Sequence, residues 1–241
     1  ALLYDCDVER QPDLEQIPPS MSQEPVLQDL VKICHDGGVL RARAMPQIPR
    51  IIATRSTNSL VYVFNLTQYT KPHASIINKK PMLKLTGLNK AGCGLSWNTN
   101  HRGRLLSNSR DGGICVWDIG SKSSADGISM QPFQCIVNTD TPVDRINDVQ
   151  WHPTIPHLMG STGRGVVIRD IRKPDNSVIG MFHHNEMLNA LAFNPHDKNL
   201  LITGSGDGAI ILLDLRFFKQ AVHTFKFHTD EVLQLSWSPS E

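Results

Sequence analysis

The chain has 241 residues, of which 40% are hydrophobic and 20% are charged, and its formal net charge at pH 7 is +1. This composition is that of a globular protein with room for one large domain or two small ones. The longest uninterrupted apolar run, Ala209 to Leu213, is far shorter than the roughly 20 residues that a membrane helix requires. We therefore expect no membrane span, and the first residues show no signal-peptide pattern.

The cysteines and histidines follow no metal-binding or disulfide pattern. The five cysteines contain no C-x-x-C pair, and the ten histidines show no H-x-x-x-H spacing. We therefore expect buried thiols in a reducing compartment, no metal site and no cofactor. The cysteines are Cys6, Cys34, Cys93, Cys115 and Cys135.

Charge is unevenly distributed along the chain. Residues 1–36 hold eight acids and two bases, whereas residues 37–110 hold twelve bases and no acid. One hypothesis is a basic face over residues 41–110 that binds an anionic partner such as nucleic acid. The alternative is a solvated face that balances the acidic leader of the same chain. On either hypothesis we expect Arg102, Arg104 and the Lys79–Lys80 pair to be exposed, because unpaired cations are rarely buried.

A short apolar phrase that ends in an aromatic residue recurs along the chain. These aromatic anchors, Trp97, Trp151, Phe193 and Trp237, lie 54, 42 and 44 residues apart, and a weaker copy ends at Ala44. Each phrase is followed by a second apolar strand, a polar turn and a third strand that ends in Asp or Asn. The predicted second strands are 51–54, 104–107, 157–161 and 199–204, and the predicted third strands are 61–65, 114–118, 166–170 and 210–214.

A repeat of 40–45 residues with several strands per unit is typical of the WD-type propeller blade. We predict an all-β WD40 β-propeller, with the anchors buried at equivalent positions and about four and a half blades of an expected seven in this chain. Residues 1–31 form an acidic leader and partial blade, and further chain, a second copy or a partner would complete the ring. The predicted repeats within 32–241 are 32–70, 82–120, 135–173, 180–218 and a partial one at 223–241.

Polar residues within the repeats have a structural explanation. In a propeller blade, a turn Asp, a nearby Ser, a loop His and a Trp can form a hydrogen-bonded network that locks the hairpin. No G-x-S-x-G elbow or other arrangement of nucleophile and base is present, so we predict that the protein is not an enzyme. The residues expected in structural networks are Asp111, Trp117, His184, Asp207 and His228.

Over residues 32–241 the chain resembles a known family. The phrase R-A-R-x-M-P-Q at 41–47 and the motifs around Trp97, Phe193 and Trp237 are similar to the histone-binding WD-repeat proteins of the retinoblastoma-associated, chromatin assembly factor subunit type. The resemblance implies a seven-bladed propeller that serves as a non-catalytic subunit of chromatin complexes. It also implies binding of the histone H3 tail on the flat top face and of a histone H4 helix in a side pocket.

In that family the top-face contacts come from the start of each inner strand. Here Asn189 and Glu231 keep the polar character that the family uses, whereas several other positions are apolar. We predict a mostly neutral, partly apolar mouth. One hypothesis is that it anchors a peptide through an apolar side chain and binds the cationic H3 tail weakly. The alternative is that these are ordinary loop residues with no ligand. The predicted peptide-binding residues are Gly38, Leu40, Ala91, Cys93, Asn147, Met187, Asn189, Glu231 and Leu233.

Three hypotheses of function stay open. The first is a nuclear chromatin scaffold, with a cytoplasmic pool, that binds histones or complex subunits. The second is a WD-repeat scaffold of ribosome assembly, whose members share the M-P-Q phrase. The third is a substrate receptor of cullin-type ubiquitin ligases, which carry D-x-R endings like those at 170–172 and 214–216.

Overall fold

The structure is a computed structural model that describes residues 33–69, 80–120, 128–137, 145–173 and 178–238. These ranges contain β-strands, turns and two 3₁₀ turns, Leu66–Tyr69 and Leu215–Phe217, but no α-helix. The strands are β1 (Val39–Met45), β2 (Ile48–Ser56), β3 (Val61–Asn65), β4 (Leu83–Leu85), β5 (Leu95–Trp97), β6 (Arg104–Asn108), β7 (Gly113–Asp118), β8 (Ser129–Met130), β9 (Gln134–Val137), β10 (Asp148–Trp151), β11 (Leu158–Thr162), β12 (Gly165–Asp170), β13 (Val178–His183), β14 (Leu188–Phe193), β15 (Leu200–Ser205), β16 (Ile210–Asp214) and β17 (Ala221–Phe225).

The strands form four sheets, which we call blades 1 to 4. Blade 1 has the order β1-β2-β3-β4-β8, blade 2 has β5-β6-β7-β9, blade 3 has β10-β11-β12-β13 and blade 4 has β14-β15-β16-β17. Blades 2 to 4 are antiparallel throughout. Blade 1 gains a parallel fifth strand, because β8 comes from the long connection between β7 and β9 of blade 2. This fifth strand was not predicted from the repeat.

The third strands of the blades are largely buried on both faces of their sheets. These strands are dominated by Val, Ile, Leu and aromatic residues, which favour the pleated backbone. Ile114 to Trp117 in β7 and the whole of β12 are buried. The hydrophobic cores accordingly lie between consecutive blades rather than inside one of them. One cluster joins blades 1 and 2, a second joins blades 2 and 3, and a third joins blades 3 and 4.

The predicted repeats and the observed blades are offset by one strand. The repeat predicted at 135–173 begins within β9, but β9 pairs with β7 and completes blade 2. In the same way, β13 completes blade 3 and β17 completes blade 4. Each repeat therefore supplies the outer strand of one blade and the three inner strands of the next, which ties successive blades together through the chain.

The aromatic anchors occupy equivalent places, with one exception to the prediction. Trp97, Trp151 and Phe193 are buried at the ends of the inner strands β5, β10 and β14. Trp237 is only half-buried and lies outside a regular strand, although its Nε1 donates to the carbonyl of Ala192 at 2.9 Å. The prediction that all four are buried is thus wrong for Trp237.

The two ends of the blades can be distinguished by their loops. At the turn end, where the first strand of each blade connects to the second, hydrogen bonds run from blade to blade. The Nε2 atom of Gln47 donates to the Asn98 carbonyl at 2.9 Å, and Nδ2 of Asn98 donates to the Pro156 carbonyl at 2.8 Å. Nε2 of His152 continues the series to the Lys198 carbonyl at 2.8 Å. The opposite end, where the inner strands begin, is the mouth end of the channel.

The prediction of unpaired thiols is wrong for one pair of cysteines. Cys115 and Cys135 face each other directly across β7 and β9 and form a disulfide bond, with Cα atoms 4.4 Å apart. Such a close pair is the non-hydrogen-bonded kind of an antiparallel ladder. Cys34 and Cys93 are free, but Cys34 is exposed and Cys93 is partly exposed, so the prediction of buried thiols is wrong for both. Cys6 lies outside the described residues. The pairing depends on strand register across a long connection, which the cysteine spacing does not reveal.

Candidate functional site at the channel mouth

Inner strands β1, β5, β10 and β14 pack against one another in sequence and line the channel. Because they run in the same direction, residues at the same distance before each anchor lie at the same level. The predicted peptide-binding residues belong to the first levels, at the mouth end, and none of them is buried. Gly38, Leu40, Glu231 and Leu233 are exposed, and Ala91, Cys93, Asn147, Met187 and Asn189 are partly exposed.

Three of these side chains form a hydrogen-bonded ladder across the mouth. Nδ2 of Asn147 donates to Oδ1 of Asn189 at 3.2 Å and to the Leu188 carbonyl at 3.1 Å. Nδ2 of Asn189 in turn donates to Oε2 of Glu231 at 3.1 Å. The ladder therefore joins blade 3, blade 4 and the segment that follows. It leaves Oε1 of Glu231 without a hydrogen-bond partner among the described residues, so this oxygen can accept a donor from a ligand.

Three other predicted positions of the mouth are apolar. Leu40 and Cys93 occupy the level of Asn147 and Asn189 in blades 1 and 2, and Leu233 occupies it after blade 4. Leu233 is 68% exposed and Leu40 is 40% exposed. The mouth thus combines one free carboxylate oxygen and two amides with exposed aliphatic surface.

Just inside the mouth lies an ion pair that sequence reasoning missed. Nη1 of Arg41, in blade 1, is 2.7 Å from Oδ1 of Asp148, in blade 3. Asp148 also accepts hydrogen bonds from the backbone N–H groups of Val149 and Leu191. Burial raises the pKa of Asp148, and the Arg41 guanidinium and these N–H groups oppose that rise. The signal in the sequence is that Arg41 and Asp148 both stand three residues before an anchor position.

A cavity of about 200 Å³ lies in the channel next to this pair. Polar side chains of the inner strands contribute much of its lining. Burial, followed by repulsion from Arg41, lowers the pKa of Arg43 in this cavity. The polar lining residues are Arg41, Arg43, Ser96, Asp148, Gln150 and Gln234.

Asp111 and Asp207, the turn residues expected in structural networks, accept hydrogen bonds within their own hairpin turns. Oδ1 of Asp111 accepts from the Gly113 N–H at 3.4 Å, and Oδ1 of Asp207 accepts from the Ala209 N–H at 3.1 Å. A hydrogen bond from a neighbouring serine, Ser109 or Ser205, is the largest cause that lowers the pKa of each carboxyl. These contacts fix the tight turn between the second and third strands of blades 2 and 4.

The three other residues expected in these networks are Trp117, His184 and His228. Trp117 is buried, and its Nε1 donates to the Thr86 carbonyl at 3.0 Å rather than to the turn of its own blade. His184 bonds within its loop, where Nδ1 accepts from the Glu186 N–H at 3.2 Å. His228 is exposed, and a network through its side chain is not seen among the described residues. The prediction of a shared network is therefore wrong for Trp117 and His228.

The D-x-R endings form local ion pairs. Arg172 binds Asp170 through Nε and Nη2, and Arg216 binds Asp214 in the same bidentate way. The hydrogen bonds from Arg172 lower the pKa of Asp170 to about 2. Both carboxylates lie nearly buried under guanidinium groups that stay largely exposed. Each arginine therefore caps the end of its own blade.

The basic stretch does not gather into one face. Arg41 is paired with Asp148, and Arg55 is fully buried, where it donates to backbone carbonyls and burial lowers its pKa to about 10. Among the described residues of the stretch, the exposed bases are divided among the channel, with Arg43, the mouth end, with Lys90 and Arg110, and the turn end. The bases exposed at or near the turn end are Arg50, Lys80 and Arg102.

One predicted exposure in this basic stretch is wrong, and another concerns a residue outside the described ranges. Arg104 was expected to be exposed but is half-buried, with its guanidinium 5.9 Å from the centre of the Phe133 ring. Such stacking lets a cation cover apolar surface. Lys79 lies outside the described residues.

Within the described ranges, no group of three or more His, Cys, Asp or Glu side chains is placed to hold a metal ion. The same part of the chain contains no helix with the length and apolar character to cross a membrane.

Comparisons with known proteins agree with the repeat pattern. Residues 176–214 match the WD40 family described as "WD domain, G-beta repeat". The chain is similar in structure to the β-propeller domain of Cps50 (Swd1) from Myceliophteria thermophila, with a TM-score of 0.66 and 16% sequence identity. The match covers 86% of this chain and 61% of that one, so the chain spans less than two thirds of the domain it resembles.

The blades, their offset repeats and the matched repeat define the class of fold: the chain forms blades of a WD40-type β-propeller, and residues 176–214 match a WD40 repeat. In all, 1285 chains of known structure match it, so the fold is shared too widely to specify a partner. The residues at the channel mouth therefore bear on function more than the fold does, because one propeller scaffold can carry many unrelated sites.

Proposed function

We propose that the protein is a non-catalytic scaffold subunit of a nuclear chromatin complex, which binds a peptide segment of a partner at the channel mouth. The single observation that carries the proposal is the Asn147–Asn189–Glu231 ladder at the channel mouth, where the side chains of Leu40 and Leu233 are also exposed. WD40 propellers mediate protein–protein interactions, and the resemblance of residues 32–241 to histone-binding WD-repeat proteins supplies the chromatin context.

The chemistry of the mouth favours a particular kind of peptide. Exposed Leu40 and Leu233 fit an apolar side chain, since burying apolar surface is the main favourable term in association. Oε1 of Glu231 is free to accept one charged or neutral donor, and the ladder holds its carboxylate in place. A peptide that relies on many Arg and Lys groups would find few partners here, because a charge-assisted hydrogen bond contributes roughly 1.5–3 kcal/mol only where an acceptor is present.

The experiment is affinity purification of the tagged protein from its native cells, with the wild type compared to the double variant Asn189→Ala/Glu231→Ala. We expect the wild type to recover histones or chromatin-complex subunits and the double variant to lose them. Glu186→Ala is the matched control, because Glu186 is an exposed carboxylate at the same end that takes no part in the ladder.

Two outcomes would contradict the proposal. Recovery of ribosome-assembly factors or of a cullin adaptor by the wild type would favour one of the alternative functions. Equal loss of partners in the Glu186→Ala variant and in the Asn189→Ala/Glu231→Ala double variant would show that general negative charge, not the ladder, binds the partners.

A further inference from the structure

The disulfide bond of blade 2 joins a buried residue to an exposed one. Cys115, in the third strand β7, is 2% exposed, whereas its partner Cys135, in the outer strand β9, is exposed. A thiol from solution therefore approaches the bond from the side of Cys135. Disulfides exchange by attack of a thiolate on one of the two sulfurs, and exposed disulfides are the ones that exchange readily.

A cavity of about 140 Å³ lies beside this bond and is lined by both cysteines. Gly87 and Gly113 also line it, and neither has a side chain that would fill the space. The charged side chain in the lining is Asp111, so an uncharged thiol is favoured over an anionic one. The cavity gives the sulfur end of a small thiol room beside the bond.

The same cross-strand position is held without a covalent bond in other blades. Counted three residues back from the Asp that ends the third strand, the pair is Val167 and Met181 in blade 3, and Ile211 and Thr224 in blade 4. In blade 2, Ile136 of β9 is also buried in the core between blades 2 and 3. The fourth strand of a blade therefore does not depend on a disulfide, and blade 2 can keep its sheet when the bond opens.

The disulfide anchors the connection that joins blade 2 to blade 1. This connection leaves β7 at Asp118, adds β8 to blade 1 and returns as β9. Strand β8 has two residues, and it is held where the N–H groups of Lys84 and Thr86 donate to the carbonyls of Ile128 and Met130 at 2.9 and 3.0 Å. Once the disulfide opens, short strands and their hydrogen bonds hold the connection, and such elements open locally at little cost.

From this geometry we infer that the Cys115–Cys135 disulfide is a reversible redox site, which small thiols open at Cys135. A thiolate attacks Sγ of Cys135 and forms a mixed disulfide with it. Sγ of Cys115 leaves with the electron pair of the broken bond and takes up the proton that the thiol lost. A second thiol then attacks the mixed disulfide and releases Cys135 as a thiol, so that two thiol molecules are oxidised to one disulfide.

Reduction at this site frees the connection that carries β8, while the four sheets stay folded. The site shares no residue with the ladder at the channel mouth, so it does not rest on the proposed binding of a partner there.

The first test identifies the sulfur that is attacked. It uses the full chain with Cys6, Cys34 and Cys93 replaced by serine, so that only the paired cysteines can react. Treatment of the folded protein with 2-mercaptoethanol, followed by acid quenching, should trap a mixed disulfide that peptide mass spectrometry locates at Cys135. Three results would overturn the inference: two free thiols in the air-oxidised protein, a mixed disulfide at Cys115, or a bond that opens only after unfolding in urea.

The second test measures the freed connection by hydrogen–deuterium exchange. Reduction should raise the exchange rates of the amides in β8 and β9 roughly tenfold and leave those of β14 to β16 unchanged. The control is the double variant Cys115→Val/Cys135→Met, which places the pair of blade 3 in blade 2 and should not respond to the thiol. Unchanged rates in β8 and β9 of the reduced protein, or a rise in every blade, would show a structural crosslink instead of a reversible site.

Discussion

At the scale of single residues, the pair of Arg41 and Asp148 is the strongest electrostatic feature of the channel. Asp148 is almost fully enclosed, and its carboxylate meets one guanidinium and two backbone N–H groups. A buried carboxylate without such partners would be costly, since desolvation disfavours its charged form. The pair therefore fixes blade 1 relative to blade 3, and with it the arrangement of the strands that begin at the mouth.

Replacing Arg41 with leucine should destabilise the protein by about 3 kcal/mol, because it leaves a buried carboxylate unpaired. Burial already raises the pKa of Asp148, and loss of the guanidinium raises it further. The unfolded-state pKa of an Asp carboxyl is near 3.9. When its pKa in the folded state is higher, the folded protein loses stability as the pH rises from the unfolded-state pKa to the folded-state pKa. The cost of Arg41→Leu should therefore be larger at about pH 8 than at about pH 5.

Urea unfolding at the two pH values measures this difference. Arg50→Leu is the control, because Arg50 is exposed and forms no ion pair among the described residues; its effect should stay within about 0.5 kcal/mol. A cost of Arg41→Leu that is small and independent of pH would show that the pair is not closed in solution.

At the scale of elements, the inner strands and their aromatic anchors join one blade to the next. Nε1 of Trp97 donates to the Arg43 carbonyl of blade 1 at 2.9 Å. Trp151 occupies the same place in blade 3, but its buried Nε1 has no partner. Its backbone N–H instead donates to Oγ of Ser96 at 3.1 Å. The same anchor position thus uses different hydrogen bonds in neighbouring blades.

This difference gives a matched pair of substitutions. Trp97→Phe and Trp151→Phe remove the same atoms from similar buried sites, but only the first removes a hydrogen bond to a carbonyl. We expect Trp97→Phe to cost about 1 kcal/mol more in free energy of unfolding than Trp151→Phe. Phe193 shows that phenylalanine is accepted at this position. Chemical denaturation of the two variants checks the result, and a larger cost for Trp151→Phe would contradict it.

The repeat pattern predicts the strands well, because the apolar segments recur at similar spacing and polar turns separate them. The positions of β5, β6 and β7 follow directly from the apolar alternation and the Asp-Gly turn. What the pattern does not predict is which strands pair at a distance. Neither β8 beside β4 nor Cys115 opposite Cys135 is visible in the spacing, since both depend on the long connection in blade 2.

The repeat pattern likewise does not predict which side chains of the candidate site meet across the channel. The start of each inner strand can be found from the sequence, so Asn147, Asn189 and Glu231 were predicted for the mouth. The ion pair of Arg41 and Asp148 joins residues 107 positions apart and appears only once the strands are placed around the channel.

At the scale of the whole molecule, the blades bring the polar ladder and the exposed leucines together at the mouth end of the channel. Rigid, interlocked blades suit a scaffold, because a preformed surface loses little conformational entropy when a partner binds. The central claim is that the mouth binds a segment of a partner protein.

Site-specific photocrosslinking tests this claim most directly. The photoreactive residue benzoylphenylalanine would replace Leu233 at the mouth or, as a control, Val222 on the outer strand of blade 4; both side chains are more than half exposed. Irradiation in the native cells should crosslink a chromatin protein to the variant at 233, with a much lower yield from the variant at 222. Equal yields from the two positions, or no crosslink from position 233, would contradict a binding site at the mouth.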